Sequence, residues 1–274
     1  MALKQNEFNY IVQLVRDRAG IILEPGKEYL VESRLLPVVR EVGSASLSEL
    51  ITGLRARPNS SIYQKVIEAM TTNETSFFRD LHPFEALRTV VVPDLISKRG
   101  EERTLHLWCA ATSSGQEPYT VMMLLREHFP ELRNWTLRFV ASDISGEMLD
   151  RARTGHYSQL EVSRGMPLSL LSKYFQRQGR EWQIIEDIRR QIEFRQVNLA
   201  DAWPLLPRMD IIFLRNVLIY FDLKMKKTIF GKVRRLLRPD GYLFLGAAET
   251  TLNLDDGFER IQVDKAGCYR VRAH

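Results

Sequence analysis

Apolar positions follow two different periods along this chain. Over residues 5–70 they recur at the spacing of an amphipathic helix. The segments with this spacing are residues 8–15, 29–42, 47–54 and 62–70. No alternating pattern of the kind that marks a strand interrupts them. Residues 1–72 are therefore predicted to form a small all-helical N-terminal domain.

From residue 104 onward, short apolar runs alternate with helical segments. The runs predicted as strands are residues 104–109, 136–143, 192–199, 209–214, 242–246 and 268–272. Alternation of this kind predicts a parallel sheet with right-handed crossovers and helices on both faces. Residues 99–274 are predicted as a doubly wound, Rossmann-like α/β domain. Residues 73–98 are predicted as a linker and a connecting helix.

One stretch, residues 160–190, does not fit the alternation. It contains two extended-looking pieces on either side of Gly179, a residue suited to a tight turn. We expect a small antiparallel β insert in the α/β domain.

The overall composition is that of an ordinary globular protein of 274 residues, long enough for one large and one small domain. No apolar run approaches the ~20 residues that span a bilayer, and the N-terminus lacks a signal-peptide core. A cytoplasmic protein without membrane insertion is expected. Cys109 and Cys268 lack metal-ligand spacing and are predicted as buried residues, so we expect no disulfide framework and no metal site.

The chain carries a formal net charge of +5, with an isoelectric point near 9.2. A basic surface favours an acidic partner, which could be nucleic acid, anionic lipid or protein. The chain has neither a long Lys/Arg block nor an amphipathic helix rich in Lys and Trp. This pattern favours a folded acidic protein surface. Nothing in the sequence indicates more than a monomer.

The loop after the first predicted strand, residues 110–115, consists of small residues. Small side chains allow a ligand to approach the backbone closely. The loop has only Gly115 where a pyrophosphate fingerprint has three glycines, and the acid Glu117 would repel phosphate. A nucleoside with a cationic amine suits this loop better than a dinucleotide.

Polar residues also stand at the ends of the next three predicted strands. Asp143 can accept hydrogen bonds from both ribose hydroxyls. Asn198 and Leu199 offer an amide and an apolar side chain to an adenine, and Arg215 and Asn216 end the fourth strand. Because the carboxyl ends of parallel strands face the ligand crevice, the agreement of all four strand ends predicts a pocket for S-adenosylmethionine.

Six motifs, taken in order, resemble those of the CheR-type chemoreceptor methyltransferases. They are MTTNETSFFRD (70–80), GQEPYT (115–120), ASDIS (141–145), QVNL (196–199), RNVLIYFD (215–222) and LRPDGYLFLGAAE (237–249). The resemblance covers nearly the whole chain, including the helical N-terminal domain. It implies that S-adenosylmethionine supplies a methyl group to receptor glutamates, forming methyl esters for sensory adaptation and S-adenosylhomocysteine.

The resemblance also implies site residues. The implied cofactor-binding set is Asn73, Thr75, Arg79, Glu117, Asp143, Asn198, Leu199, Arg215 and Asn216. In this set Glu117 holds the amino group of the cofactor. The sequence departs from the family pattern at Gln116, where a second acid is usual, and at Ala247, where a histidine is usual. One acid is thus left for the amine, and that histidine can have no role here.

Methyl transfer to a glutamate carboxylate needs no general base, because an ordinary Glu, with a pKa near ~4.3, is already ionised at neutral pH. The remaining task is to hold the carboxylate against the methyl group. Arg79 and Tyr220 are predicted as the catalytic residues, an arginine to orient the carboxylate and a phenol to donate a hydrogen bond. A core aromatic is the alternative interpretation of Tyr220.

The substrate implied by the resemblance is the cytoplasmic helical bundle of a chemoreceptor, with acidic methylation helices. Its predicted contacts are Arg34, Arg40, Arg55 and Arg57 of the helical domain. A solvated helical face is the alternative for these arginines. The turn around Gly179 is short, so we expect no tether to a receptor C-terminal peptide.

Two other functions remain open from the sequence. A nucleic-acid methyltransferase would use the basic charge, but RNVLIYF contains no proline of the turn that holds a flipped base. A non-catalytic scaffold that binds S-adenosylmethionine is the second alternative. The complete set of strand-end residues argues against it.

Overall fold

The structure, a computed structural model, describes residues 3–57, 60–263 and 265–272 and divides into two units. The first unit contains the chain up to Thr72 together with Asn198–Ala202 and Tyr220–Met225, and the remainder forms the second unit. The sequence had placed both short segments in the methyltransferase domain. They group with the helices because of direct hydrogen bonds: Asn198 Nδ2 donates to Arg18 O over 2.6 Å, and Ile22 N donates to Tyr220 O over 2.9 Å.

Four helices build the first unit, as the apolar spacing predicts. They are α1 (Gln5–Ala19), α2 (Glu28–Glu41), α3 (Leu47–Ala56) and α4 (Ser61–Met70). Each turns one apolar stripe inward, and Ile11, Leu35, Ile51 and Val66 on the four helices are at most 1% exposed.

The connecting helix of the second unit is interrupted where one continuous helix was expected. It runs from α5 (Leu81–Ala86) through a π-helical turn, Leu87–Val91, into α6 (Val92–Arg99). Pro93 has no N–H to donate to the carbonyl four residues earlier, so the regular α pattern cannot continue across this point.

The second unit contains a seven-stranded and a three-stranded sheet. The strands are β1 (Thr104–Ala110), β2 (Thr136–Asp143), β3 (His156–Ser158), β4 (Phe175–Gln178), β5 (Glu181–Ile184), β6 (Ile192–Gln196), β7 (Met209–Leu214), β8 (Leu237–Leu245), β9 (Phe258–Ile261) and β10 (Gly267–Val271). The large sheet has the order β6-β2-β1-β7-β8-β10-β9, in which the first five strands are parallel and β10 is antiparallel to both of its neighbours. The doubly wound fold class is confirmed.

Further helices connect these strands. They are α7 (Gln116–His128), α8 (Gly146–Thr154), α9 (Gln159–Ser163), α10 (Leu168–Tyr174), α11 (Glu186–Arg189) and α12 (Leu223–Leu236). All six residues of β7 are buried, as expected of a strand covered on both faces. Cys109 and Cys268 are buried and unpaired. In the part of the chain that is described, no helix is both long and apolar enough to cross a bilayer.

The predicted antiparallel insert is present but begins earlier than residue 160. Its strands lie in the order β3-β5-β4, and Gly179 forms the β4–β5 turn with φ +62°. The third predicted parallel strand is shorter than expected and ends at Gln196. Asn198 turns the chain after it, because its Oδ1 accepts a hydrogen bond from Ala200 N at 3.0 Å.

Candidate functional site

The loop after β1 lies at the point where the winding of the sheet reverses. β1 pairs with β2 on one side and with β7 on the other, so the carboxyl ends of these strands adjoin. Gly115 closes the loop with φ +94°, and a Cβ there would come within 2.9 Å of Ala152 Cβ. Only glycine meets both demands, which explains the glycine at this position of the motif.

Asp143 ends β2, and backbone N–H groups fix its carboxylate. Oδ2 accepts a hydrogen bond from Ser113 N at 2.7 Å, and Oδ1 accepts one from Ser145 N at 2.9 Å. The side chain is buried, so these charge-assisted bonds join the end of β2 to the loop after β1. An acid held in this way occupies the position predicted for ribose recognition.

Arg215 directly follows β7 and is the central cation of the site, with its side chain 1% exposed. Its Nη1 lies 2.5 Å from Glu117 Oε2, and its Nη2 lies 3.0 Å from Asp80 Oδ2. Nη2 also donates to the Arg79 carbonyl at 2.9 Å, and the guanidinium lies 5.5 Å from the Phe84 ring centroid. Two carboxylates thus compensate one buried positive charge.

Glu117 is the acid of this cluster whose protonation is perturbed. Burial raises the pKa of Glu117, and the nearby guanidinium groups of Arg215 and Arg79 oppose the rise only in part. A carboxylate in this state gains from a second cation, since a neighbouring positive charge restores the ionised form. The amine of an amino acid is such a cation.

Two buried polar atoms of the site have no hydrogen-bond partner among the described residues: Thr112 Oγ1 and Arg215 Nε. Buried polar groups are nearly always paired, so unpaired ones at the ends of β1 and β7 indicate a polar ligand. With the carboxylates of Glu117 and Asp143 beside them, these groups fit S-adenosylmethionine, which has a cationic amine and ribose hydroxyls. The sequence did not single out Thr112, whose signal is only its place in the loop of small residues.

The segment before α5 packs against the loop after β1. Asn73 O accepts a hydrogen bond from Ser113 Oγ at 2.8 Å, and Arg79 Nη1 donates to Glu74 O at 3.0 Å. Phe77 is fully buried and anchors the segment in the core. Asn73, Thr75 and Arg79 therefore lie in the same unit as Glu117 and Arg215, and their contacts with the cofactor stay predictions.

Glu249 is a residue of the cluster that the sequence analysis did not assign. Its Oε2 accepts hydrogen bonds from Gly246 N at 2.7 Å and Asn216 N at 2.8 Å. Its Oε1 accepts from Val217 N at 2.9 Å and Leu218 N at 2.7 Å. The available signal was an acid soon after the end of β8, in the motif LRPDGYLFLGAAE.

Three residues predicted to contact the cofactor or the reacting carboxylate belong to the first unit. Leu199 is buried there, and the Asn198 amide bonds to Arg18 O at 2.6 Å and Asp201 Oδ2 at 2.8 Å. Tyr220 ends the 3-10 turn Leu218–Tyr220. Contacts of these three residues with the cofactor or substrate stay predictions.

The four arginines predicted to contact the substrate are not equally exposed. Arg34 is half-buried and donates to Met70 O at 2.7 Å, and burial lowers the pKa of Arg34. Arg55 donates to Asn6 O at 3.2 Å and lies over the Tyr10 ring. These contacts join helices of the first unit, so Arg34 and Arg55 have a structural role, and their contact with a substrate stays a prediction.

Arg40 and Arg57 are exposed and form no ion pair with any described residue. Unlike the exposed Arg55, they are not shown bonded to a described residue of a neighbouring helix, so their side chains are available to a partner. Among the residues that the structure describes, no group of three or more His, Cys, Asp or Glu side chains could hold a metal ion.

Comparison with known proteins identifies the family. Residues 6–71 match the CheR methyltransferase all-alpha domain, and residues 73–266 match the CheR methyltransferase SAM binding domain. The chemotaxis protein methyltransferase Cher2 of Pseudomonas putida is 39% identical over 97% of this chain and 98% of its own length. Chemotaxis protein methyltransferase 1 of Pseudomonas aeruginosa is 39% identical over 99% of this chain and 100% of its own. The chain belongs to the CheR methyltransferase family, and its second domain is the S-adenosylmethionine-binding domain of that family.

Proposed function

We propose that this protein transfers the methyl group of S-adenosylmethionine to glutamate carboxylates on the cytoplasmic helical bundle of chemotaxis receptors. The products are glutamate methyl esters and S-adenosylhomocysteine. The observation that carries the proposal is the buried Arg215 guanidinium, which pairs with Glu117 and Asp80 at the switch point of the sheet, together with the buried carboxylate of Asp143 at the end of β2. The names of the curated relatives support a chemotaxis substrate.

Each end of the cofactor has a matching group in the second unit. Glu117 would bind the amine, because burial already raises its pKa and a cation would restore its ionisation. Asp143, held by Ser113 N and Ser145 N, would accept the ribose hydroxyls. Thr112 Oγ1 and Arg215 Nε would find their missing partners in the ligand. When bound, the cofactor supplies a methyl group on a sulfonium.

The protein contributes orientation to the chemical step. A glutamate carboxylate is ionised at neutral pH, and no histidine is among the residues that form the cluster. Correct placement of two reactants alone lowers a barrier by up to ~7–11 kcal/mol. Arg79, whose charge reaches Glu117, would orient the incoming carboxylate, and Tyr220 would donate a hydrogen bond to it.

The receptor would meet the outer face of α2. Tyr29 and Leu36 are 69% and 43% exposed, and with Arg40 they stand at helical spacings of seven and four residues. Such spacings place all three on one face of the helix. An exposed apolar stripe next to a cation suits an amphipathic helix with an acidic border. Arg57, at the end of α3, adds a second cation.

Binding would not depend on a tether to the receptor C-terminus, because the turn at Gly179 is short and presents no loop to enclose a peptide. We propose that the protein acts as a cytoplasmic monomer. Calorimetric titration with a receptor C-terminal peptide should give no binding heat. Submicromolar binding would overturn this part of the proposal.

The chemical test uses S-adenosylmethionine labelled in its methyl group, with a receptor cytoplasmic fragment and, separately, RNA. We expect label on the receptor fragment and its release as methanol in mild base, because carboxyl esters hydrolyse readily. Label that survives mild base, or label on RNA alone, would contradict ester formation. No label on either substrate would favour a binding scaffold.

A further inference from the structure

Glu249 is a buried carboxylate that methyl transfer itself does not use. It is 8% exposed and lies shortly after β8. Four backbone N–H groups converge on its two oxygens, at distances of 2.7, 2.8, 2.9 and 2.7 Å. No residue other than an acid offers two anionic acceptors in this arrangement.

Three of these N–H groups are consecutive and belong to the turn after β7. Asn216, Val217 and Leu218 follow the last paired residue of that strand, so no neighbouring strand pairs with them. Without Glu249 their N–H groups would lack a strong acceptor in a largely buried setting. An unsatisfied buried N–H is costly, and the turn would rearrange to avoid it.

The geometry of this turn is unusual and tightly enclosed. Asn216 has φ +57°, a left-handed conformation that few residues other than glycine adopt. On the other side, a Cβ on Gly246 would come within 2.8 Å of both Asn216 Nδ2 and Glu249 Oε2. The end of β8 and the turn after β7 therefore interlock around the carboxylate.

We infer that Glu249 is a positioning residue, whose carboxylate holds the turn after β7 in place. This turn presents Arg215 and Asn216 to the cofactor and fixes the start of the 3-10 turn that ends at Tyr220. The inference rests on the proposed function, because its consequence is cofactor binding. A second link supports it: the Glu249 charge also contributes to the raised pKa of Glu117. Glu249 thus affects the cluster in two ways: its hydrogen bonds fix the backbone next to Arg215, and its negative charge favours the protonated form of Glu117.

The first test is Glu249→Gln, which keeps the shape but replaces one accepting oxygen with an NH₂ group facing N–H donors. We expect the affinity for S-adenosylhomocysteine, measured by calorimetry on folded protein, to fall about tenfold or more, since bonds to charged acceptors are among the stronger ones. The control is Glu161→Gln, which removes a carboxylate that accepts Ser158 N at 2.9 Å in the capping box of α9. Its affinity should equal that of the wild type.

The second test is chemical rescue. Glu249→Ala leaves the backbone N–H groups facing an empty space, which a formate ion can fill. Added formate should restore S-adenosylhomocysteine binding to Glu249→Ala and leave Glu249→Gln unchanged, because its amide occupies the space. Formate should not alter the wild type. A merely structural loss of stability predicts no such difference between the two variants.

The outcomes separate the two claims. A wild-type protein that does not bind S-adenosylhomocysteine would refute the proposed function. A wild type that binds, with Glu249→Gln equally tight, would refute the positioning role alone. If Glu249→Ala does not fold, thermal melting will show it. The S-adenosylhomocysteine affinities of Glu249→Gln and Glu161→Gln then decide whether Glu249 has a positioning role. Binding by folded Glu249→Ala that formate leaves weak would also count against the inference.

Discussion

At the scale of single residues, the site is governed by how its buried charges compensate one another. Arg215 is flanked by Glu117 and Asp80. Their negative charges compensate its positive charge, and without them burial of the guanidinium would be too costly. In the same arrangement the pKa of Glu117 is raised, so a cation that binds beside it would favour its ionised form. We propose that this one cluster both balances the buried charge of Arg215 and selects a ligand with a cationic amine.

The first prediction concerns pH. Glu117 must be ionised to hold the cofactor amine, and its pKa is raised, so S-adenosylhomocysteine affinity should fall as the pH drops through a value above that of an ordinary glutamate. Glu117→Gln should bind about tenfold to a hundredfold more weakly at neutral pH and lose this dependence. Calorimetry across the acidic range measures both effects.

The matched control for that experiment is Glu147→Gln, which removes an exposed acid from the first turn of α8. It should keep both the wild-type affinity and its pH dependence. If Glu117→Gln followed the same pH curve as the wild type, another group would be responsible for the titration.

The second prediction concerns stability. Arg215→Ala leaves Glu117 and Asp80 without their shared cation, and breaking a buried pair typically costs about 3–5 kcal/mol of unfolding free energy. Arg88→Ala removes an exposed partner of Glu85, and such pairs contribute about 0–1 kcal/mol. Urea unfolding of both variants measures the contrast. Equal losses would show that Arg215 is no more important to folding than a surface arginine.

At the scale of elements, apolar spacing predicted the helices and strands whose buried side chains recur at a regular interval. The four helices of the first unit and the buried strand β7 follow directly from it. Four strand ends also pointed to a cofactor site, because each carries a polar residue after an apolar run.

Other elements left no such signal. β9 has only one buried residue, Phe258, and exists because β10 pairs with it. β3 is three residues long and is likewise defined by its partner β5. Structure that depends on pairing with another segment, and not on the regular burial of its own side chains, cannot be derived from local periodicity. The same reason hid Glu249, whose four bonds go mainly to a turn more than thirty residues earlier in the chain.

The third prediction concerns the helical unit. Because Arg34 and Arg55 hold helices together, the informative variant changes only Arg40 and Arg57, which are exposed and make no such contact with a described helix, as Arg40→Glu and Arg57→Glu. Repulsion from an acidic receptor should reduce methylation of the receptor fragment about tenfold and leave S-adenosylhomocysteine affinity unchanged. Steady-state kinetics measure receptor methylation, and calorimetry measures the affinity for S-adenosylhomocysteine.

Arg133→Glu is the control for charge alone, since Arg133 is an exposed arginine of the second unit. It should methylate the receptor normally. Equal loss in the control, or loss of cofactor affinity in the double variant, would contradict a receptor-binding role for α2 and α3.

At the scale of the whole molecule, the chain consists of two family domains, and we propose that the first binds the substrate while the second holds the cofactor. The all-alpha domain covers residues 6–71 and the SAM-binding domain covers residues 73–266, so the family match extends over almost the entire chain. The sequence predicted this order because helical apolar spacing over residues 5–70 gives way to alternating strands and helices from residue 104. Motif order could not reveal that Asn198–Ala202 and Tyr220–Met225 group with the first unit.

The most direct test of the central claim is a crystal structure of this protein with S-adenosylhomocysteine. We predict that the ligand amine lies within hydrogen-bonding distance of Glu117 and that the ribose hydroxyls meet the Asp143 carboxylate. Ligand density at another place, or a crystal soaked at saturating concentration that shows none, would contradict the account.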